Sequence, residues 1–99
     1  MKRIIYPGTF DPIHYGHIDI ARRASRLFDE VYICVSDNQH KNPLFSHKER
    51  VEMIEECTSD LDNVSAYSNP NNLVVNFADS KDAVAIIRGL RHVSDFELE

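Results

Sequence analysis

Apolar positions along the 99-residue chain come in short runs whose period switches between two and about three and a half. "RIIY" (Arg3–Tyr6) is a first apolar run, closed by Pro7-Gly8, and predicts a strand. From Gly16 to Phe28, the side chains of Ile20, Ala21, Ala24, Leu27 and Phe28 share one helical face, with Arg22, Arg23 and Arg26 elsewhere. "EVYICVS" (Glu30–Ser36) is β-branched and nearly continuous in apolarity, the mark of a strand covered on both faces. "DNQHKNP" is a polar loop, and "SHKE" (Ser46–Glu49) has the form of a capping box that opens a helix to Thr58. Val51, Ile54, Met53 and Cys57 are expected on that helix's buried side. A weaker strand follows over Asn63–Tyr67, then a short helix over Asn71–Ser80 burying Leu73, Val74 and Phe77. "AVAIIRG" (Ala83–Gly89) predicts a fourth strand, and "HVSDFELE" reads as the opening of a further helix with Ser94 as its cap.

The order is β-α-β-α-β-α-β-(α). It predicts an α/β fold: one domain over residues 1–99, a parallel sheet of about four strands, and helices on both faces. In such sheets ligands bind beyond the carboxyl ends of the strands, where the strand order switches. Each chemically unusual segment follows a predicted strand: "GTFDPIHYGH", "DNQHKN", the Asn-rich turn, and "RGLRHVSD". They are expected at one edge, which gathers Thr9, His14, His17, His40, Lys41, Arg88 and Arg91, with Asp11 and Asp95 as the nearby carboxylates.

Composition adds limits. The formal charge of −5 argues against a nucleic-acid partner, which calls for a basic face, yet permits a locally basic pocket for a small anion. No apolar run approaches the ~20 residues of a membrane span, and the apolar stretch after "MKR" is too short for a signal peptide. The expectation is a cytoplasmic protein without a membrane partner. Cys34 and Cys57 sit in apolar stretches outside any metal or redox motif and are expected as buried free thiols.

The gathered donors and cations suit a polyphosphate. Helix N-termini bind phosphate through free N–H groups, lysine offers a point charge and arginine a fork. Neither a Walker A loop nor the three-glycine dinucleotide fingerprint is present. His14 and His17 are three apart and share a face if both stand on the first helical turn, and Gly16 between them leaves room for a nucleotide against the backbone. Plainer roles fit the same residues singly: solvent histidines in a turn, a solvated Lys41, a turn residue at Thr9, or Arg88 and Arg91 paired with Asp95, Glu97 or Glu99. No third ligand accompanies the histidine pair, so no metal-ligating residue is assigned.

"GTFDPIHYGH" resembles the His-x-Gly-His signature of the nucleotidylyltransferase superfamily. "KNPLFSHKERVEMI" and "IIRGLRHVSDFELE" are similar to the phosphopantetheine adenylyltransferase family of coenzyme A synthesis. The resemblance implies a Rossmann-like fold and transfer of the adenylyl group of ATP to 4′-phosphopantetheine, giving dephospho-coenzyme A and pyrophosphate, with Mg2+. It implies catalytic roles for His17 and Lys41; substrate contacts for Thr9, Lys41, Val74 and Arg88; and ATP contacts for Thr9, Phe10, His14, His17, Gly89, Leu90, Arg91 and Glu99. It also implies coenzyme A as an inhibitor and a homo-oligomeric assembly.

The chain departs from that family in places. Many members carry Thr-Asn-Gly-His where this chain has His14-Tyr15-Gly16-His17, a form closer to the nicotinate mononucleotide adenylyltransferases. Many carry a second lysine where Asn42 stands, and nothing here matches the family's later Ser-rich loop. The chain therefore reads as the N-terminal, incomplete portion of a nucleotidylyltransferase domain, weakly active or inactive alone. The alternatives are transfer to another phosphate acceptor, such as nicotinate mononucleotide, or a non-catalytic nucleotide- or pantetheine-binding half-domain.

Overall fold

The computed structural model describes residues 2–36, 43–68 and 83–87. Along them run β1 (Arg3–Gly8), α1 (Tyr15–Leu27), β2 (Glu30–Val35), α2 (His47–Cys57), β3 (Val64–Ser68) and β4 (Ala85–Ile86). The strands form one sheet in the order β3-β2-β1-β4, with every pairing parallel. The chain steps outward from β1 to β2 to β3, then returns to the far side of β1, so the order reverses at β1. In a Rossmann-like sheet the crevice lies at that reversal, outside the carboxyl ends.

One face of the sheet packs Ile4, Tyr6, Val31, Ile33 and Val35 against Ala21 and Ala24 of α1 and Ile54 of α2. The other face gathers Ile5, Tyr32 and Cys34, with Tyr67, Ala83 and Ile86 against them. This two-sided burial is why β2 reads as an unbroken apolar run. Both described helices cover the first face. The expected helix over 71–80, and the one expected to open at His92, lie outside the described residues.

The capping box at α2 is present as read. The Ser46 Oγ accepts from the Glu49 amide at 3.1 Å, and the Ser46 amide donates to Glu49 Oε1 at 2.9 Å. That bonding holds the Glu49 carboxyl below its usual range.

Some expectations are corrected. β1 does not stop at Tyr6, since Pro7 and Gly8 continue in register with Cys34 and Val35. Pro7 has no N–H to give, but the β4 register covers Ile4 and Ile5, leaving Pro7 beyond it. β4 is shorter than expected, and Val84 just before it is exposed. Leu27 is 65% exposed, because Ala21, Ala24 and Phe28 carry the core stripe past it as α1 ends. Cys57 is exposed, whereas Cys34 is buried as expected. The buried stripe of α2 runs through Arg50, Ile54 and the capping Thr58, four residues apart, which turns Cys57 to the flank. Among the described residues no helix is long and apolar enough to cross a membrane.

Ile54→Ala should cost about 2–5 kcal/mol in urea unfolding, because it empties a fully buried site between α2 and the sheet. Leu27→Ala, at its exposed position, should stay within about 0.5 kcal/mol of the parent chain.

Candidate functional site

β1 must turn sharply at its carboxyl end to enter α1. Phe10 makes that turn with a φ of 48°, a left-handed conformation that an aromatic residue seldom adopts. Its ring stands edge-on to Tyr6, with centroids 5.2 Å apart, and to His17 at 4.8 Å. Gly8 makes the approach feasible, since a Cβ there would come within 2.9 Å of the Phe10 ring. Phe10 is thus buried as the floor of the turn, and Ile13 is buried with it.

The turn is tied to the start of α2 from two sides. Asp11 accepts from the Leu44 amide at 2.6 Å and from the Phe45 amide at 2.9 Å, one on each carboxylate oxygen. Arg50, fully buried, donates from Nη1 to the Thr9 carbonyl at 3.1 Å and from Nε to the Ser46 carbonyl at 3.3 Å. Further along the edge, His47 Nδ1 lies 2.7 Å from Ser68 Oγ, joining the start of α2 to the end of β3.

His14 and His17 form a reciprocal pair at the start of α1. His14 is the N-cap: its Nδ1 accepts from the Gly16 amide at 3.1 Å, while its own amide donates to His17 Nδ1 at 3.1 Å. The rings stack with centroids 3.7 Å apart. An Nδ1 that accepts a bond carries no proton, so the neutral His17 ring holds its proton on Nε2. Burial, and secondarily repulsion from His14, lowers the His17 pKa from 6.5 to about 4. The positive end of the helix dipole works in the same direction. His17 is therefore a neutral N–H donor of fixed tautomer across the physiological range.

The expectation of open amides at the helix start is corrected at Gly16, whose N–H is taken by the cap. The room beside Gly16 is likewise occupied by the His14 ring, 3.0 Å from where a Cβ would sit.

Of the residues singled out from sequence, Thr9, Phe10, His14 and His17 stand together in the turn and first helical turn beyond β1. Lys41, Val74, Arg88, Gly89, Leu90, Arg91 and Glu99 lie outside the described residues. In sequence they follow Ser36, Ser68 and Ile87, which the parallel strands leave at the edge where β1 ends. Arg50, Asp11 as a clamp, and His47 carry no sequence signal of their roles. An arginine within an ordinary helical pattern reads as solvated. The clue available was its position four residues before Ile54 on the buried stripe.

A family model described as cytidylyltransferase-like matches residues 5–99. Phosphopantetheine adenylyltransferase of Clostridium novyi (strain NT) is 54% identical over 99 residues, which is 100% of this chain and 61% of that relative. Phosphopantetheine adenylyltransferase of Campylobacter hominis is 50% identical over 95 residues, covering 96% of this chain and 59% of the relative. The chain thus spans about three fifths of the length of these curated relatives. Among solved structures, the lipopolysaccharide core biosynthesis protein from Thermoplasma volcanium GSS1 superposes with a TM-score of 0.71 at 26% identity, over 87% of this chain and 72% of that one.

The His17 imidazole should titrate near pH 4, with the Nε2–H tautomer above it, in nitrogen-detected NMR. Above pH 6.5 the folded and unfolded forms are both neutral at this residue; below it the unfolded chain takes the proton first, so stability falls on acidification toward pH 4. His17→Gln should flatten that part of the stability profile. Gly8→Ala, which forces a methyl into the Phe10 ring, should destabilise the fold by about 1–3 kcal/mol and shift the Phe10 ring resonances.

Proposed function

We propose that this chain, which belongs to the cytidylyltransferase-like family, serves adenylyl transfer from ATP to 4′-phosphopantetheine, giving dephospho-coenzyme A and pyrophosphate. The observation that carries the reading is the neutral, tautomer-fixed His17 at the start of α1, directly beyond the strand where the sheet order reverses. A phosphate oxygen of the acceptor attacks the α-phosphorus of ATP. The new P–O bond forms as the bond to the bridging oxygen breaks, and pyrophosphate leaves with the electron pair. This reaction asks for donors and orientation rather than a protein nucleophile.

In this reading His17 donates from Nε2 to the nucleotide phosphates and stabilises the charge that builds on them. Thr9 touches both substrates, and Lys41 and Arg88 hold the reacting phosphates. Val74 packs on the pantetheine arm, while Phe10, His14, Gly89, Leu90, Arg91 and Glu99 serve ATP. A cytoplasmic location, a homo-oligomer and inhibition by coenzyme A belong to the same reading. Among the described residues no group of three or more His, Cys, Asp or Glu could hold a metal ion, and both oxygens of Asp11 are engaged by amides. Mg2+ belongs to the same reading, as the ion that accompanies the ATP phosphates.

The chain should bind ATP in calorimetry. Pyrophosphate release, where it occurs, should follow 4′-phosphopantetheine and not nicotinate mononucleotide. In a full-length context, where transfer is measurable, His17→Ala should lower the transfer rate by about 10²–10³-fold with the fold retained. Equal rates in parent and variant, or turnover with nicotinate mononucleotide alone, would overturn the assignment. ATP binding without pyrophosphate release would favour the half-domain alternative.

A further inference from the structure

We propose that Arg50 is a positioning residue of the nucleotide site: from inside the core it fixes the backbone of the turn that carries Phe10, and through the Phe10 ring it sets the place of the His17 imidazole. The proposal rests on the reading of His17 as the phosphate donor, and its structural part stands apart from any activity.

A buried guanidinium is costly, and a cation in a core stripe demands compensation from strong hydrogen bonds. Position 50 shares its stripe with Ile54, so an apolar side chain would satisfy packing there. The arginine turns Nε and Nη1 to backbone carbonyls instead, reaching Ser46 at the start of its own helix and Thr9 in the turn after β1. The planar fork holds Nε and Nη1 at a fixed separation, so the two carbonyls are held at a fixed separation too.

The residue that follows Thr9 is the one that needs help. Phe10 sits at a φ of 48°, and such a conformation persists where its surroundings over-determine it. Arg50 holds the peptide before Phe10, and the Asp11 carboxylate ties down the residue after it. Tyr6, Gly8 and His17 enclose its ring. Releasing the Thr9 carbonyl lets the peptide relax toward ordinary φ, which withdraws the ring from its 4.8 Å contact with His17 and admits water to the imidazole.

The test compares Arg50→Met, which keeps bulk and loses the fork, with Arg50→Lys, which keeps charge and cannot span both carbonyls. Ile54→Val on the same stripe is the control for simple loss of core stability. Nitrogen-detected NMR of this chain without ligand reads the His17 titration, and calorimetry with ATP reads binding. In Arg50→Met the His17 midpoint should move up from about 4 by a unit or more, and ATP affinity should fall about tenfold. Arg50→Lys should lie between that variant and the parent chain, and Ile54→Val should lower stability while leaving the titration in place. An unchanged His17 midpoint in folded Arg50→Met overturns the proposal. If Arg50→Met does not fold, an unchanged midpoint in Arg50→Lys overturns it equally. Should the parent chain bind no ATP, the proposed function fails while the titration still decides the role of Arg50.

Discussion

β1 is hydrogen-bonded on both sides, to β2 and to β4, and its carboxyl end has to leave the plane of that sheet at the one place where the strand order reverses. The geometry around the site follows from that constraint. An ordinary extended continuation would run on beside β2, whose pairing already reaches Gly8 with Val35. The chain escapes through a left-handed Phe10 instead. Such a residue costs about 1–3 kcal/mol. Charge-assisted hydrogen bonds from Arg50 and to Asp11, each worth about 1.5–3 kcal/mol, are enough to offset it. The aromatic contacts of the Phe10 ring add to them. The strain of the turn is met from outside it, by Arg50 of α2 and by the Leu44 and Phe45 amides just before that helix.

The turn so held has an electrostatic consequence. His17 stands over the Phe10 ring and against His14, half-buried, at the positive end of a helix, and each circumstance disfavours an added proton. A neutral imidazole whose Nδ1 is occupied offers one directed donor and no net charge. Under the proposed function, positive charge for a polyphosphate then has to come from lysine and arginine, which the sequence supplies as Lys41, Arg88 and Arg91. A directed, uncharged donor at the helix start suits a reaction that requires alignment as well as charge stabilisation.

Much of this was legible from the chain. The alternation of strand and helix periods, the Ser46–Glu49 capping box and the continuous apolarity of β2 each encode their outcome locally. Parallel pairing also sends the described strand ends to one edge, where Thr9, Phe10, His14 and His17 stand beyond β1. What escaped reading is what depends on phase or on distant partners. Leu27 and Cys57 fit a helical face by count, but the real stripes pass through Ala21, Ala24 and Phe28, and through Arg50, Ile54 and Thr58. A stripe drifts by tens of degrees over three turns, and only the sheet beneath decides which flank it meets. The role of Arg50 escaped for a different reason: its spacing from Ile54 hints at burial, but its partner, the Thr9 carbonyl, lies forty-one residues away and is a backbone atom without any side-chain signature. Likewise, the open amides expected at the start of α1 assumed an unoccupied cap, and the cap proved to be His14 itself.

The identity of the cap bears on substrate. The His-Tyr-Gly-His form of the signature differs from the Thr-Asn-Gly-His form at its first two residues, and the first difference resembles a change of acceptor when read as a binding contact. In the structure His14 serves the helix instead: its Nδ1 accepts the Gly16 amide, and its backbone N–H is received by His17. Threonine is a favoured N-cap as well and satisfies a helix amide through its hydroxyl. Both residues at position 14 can begin the helix and leave His17 at its third position, so that exchange alters how the cap is made. Discrimination among acceptors has to come from groups that contact the part of the acceptor remote from its phosphate. The first residue of the signature is therefore no guide to the acceptor, because the helix start uses it for its own backbone.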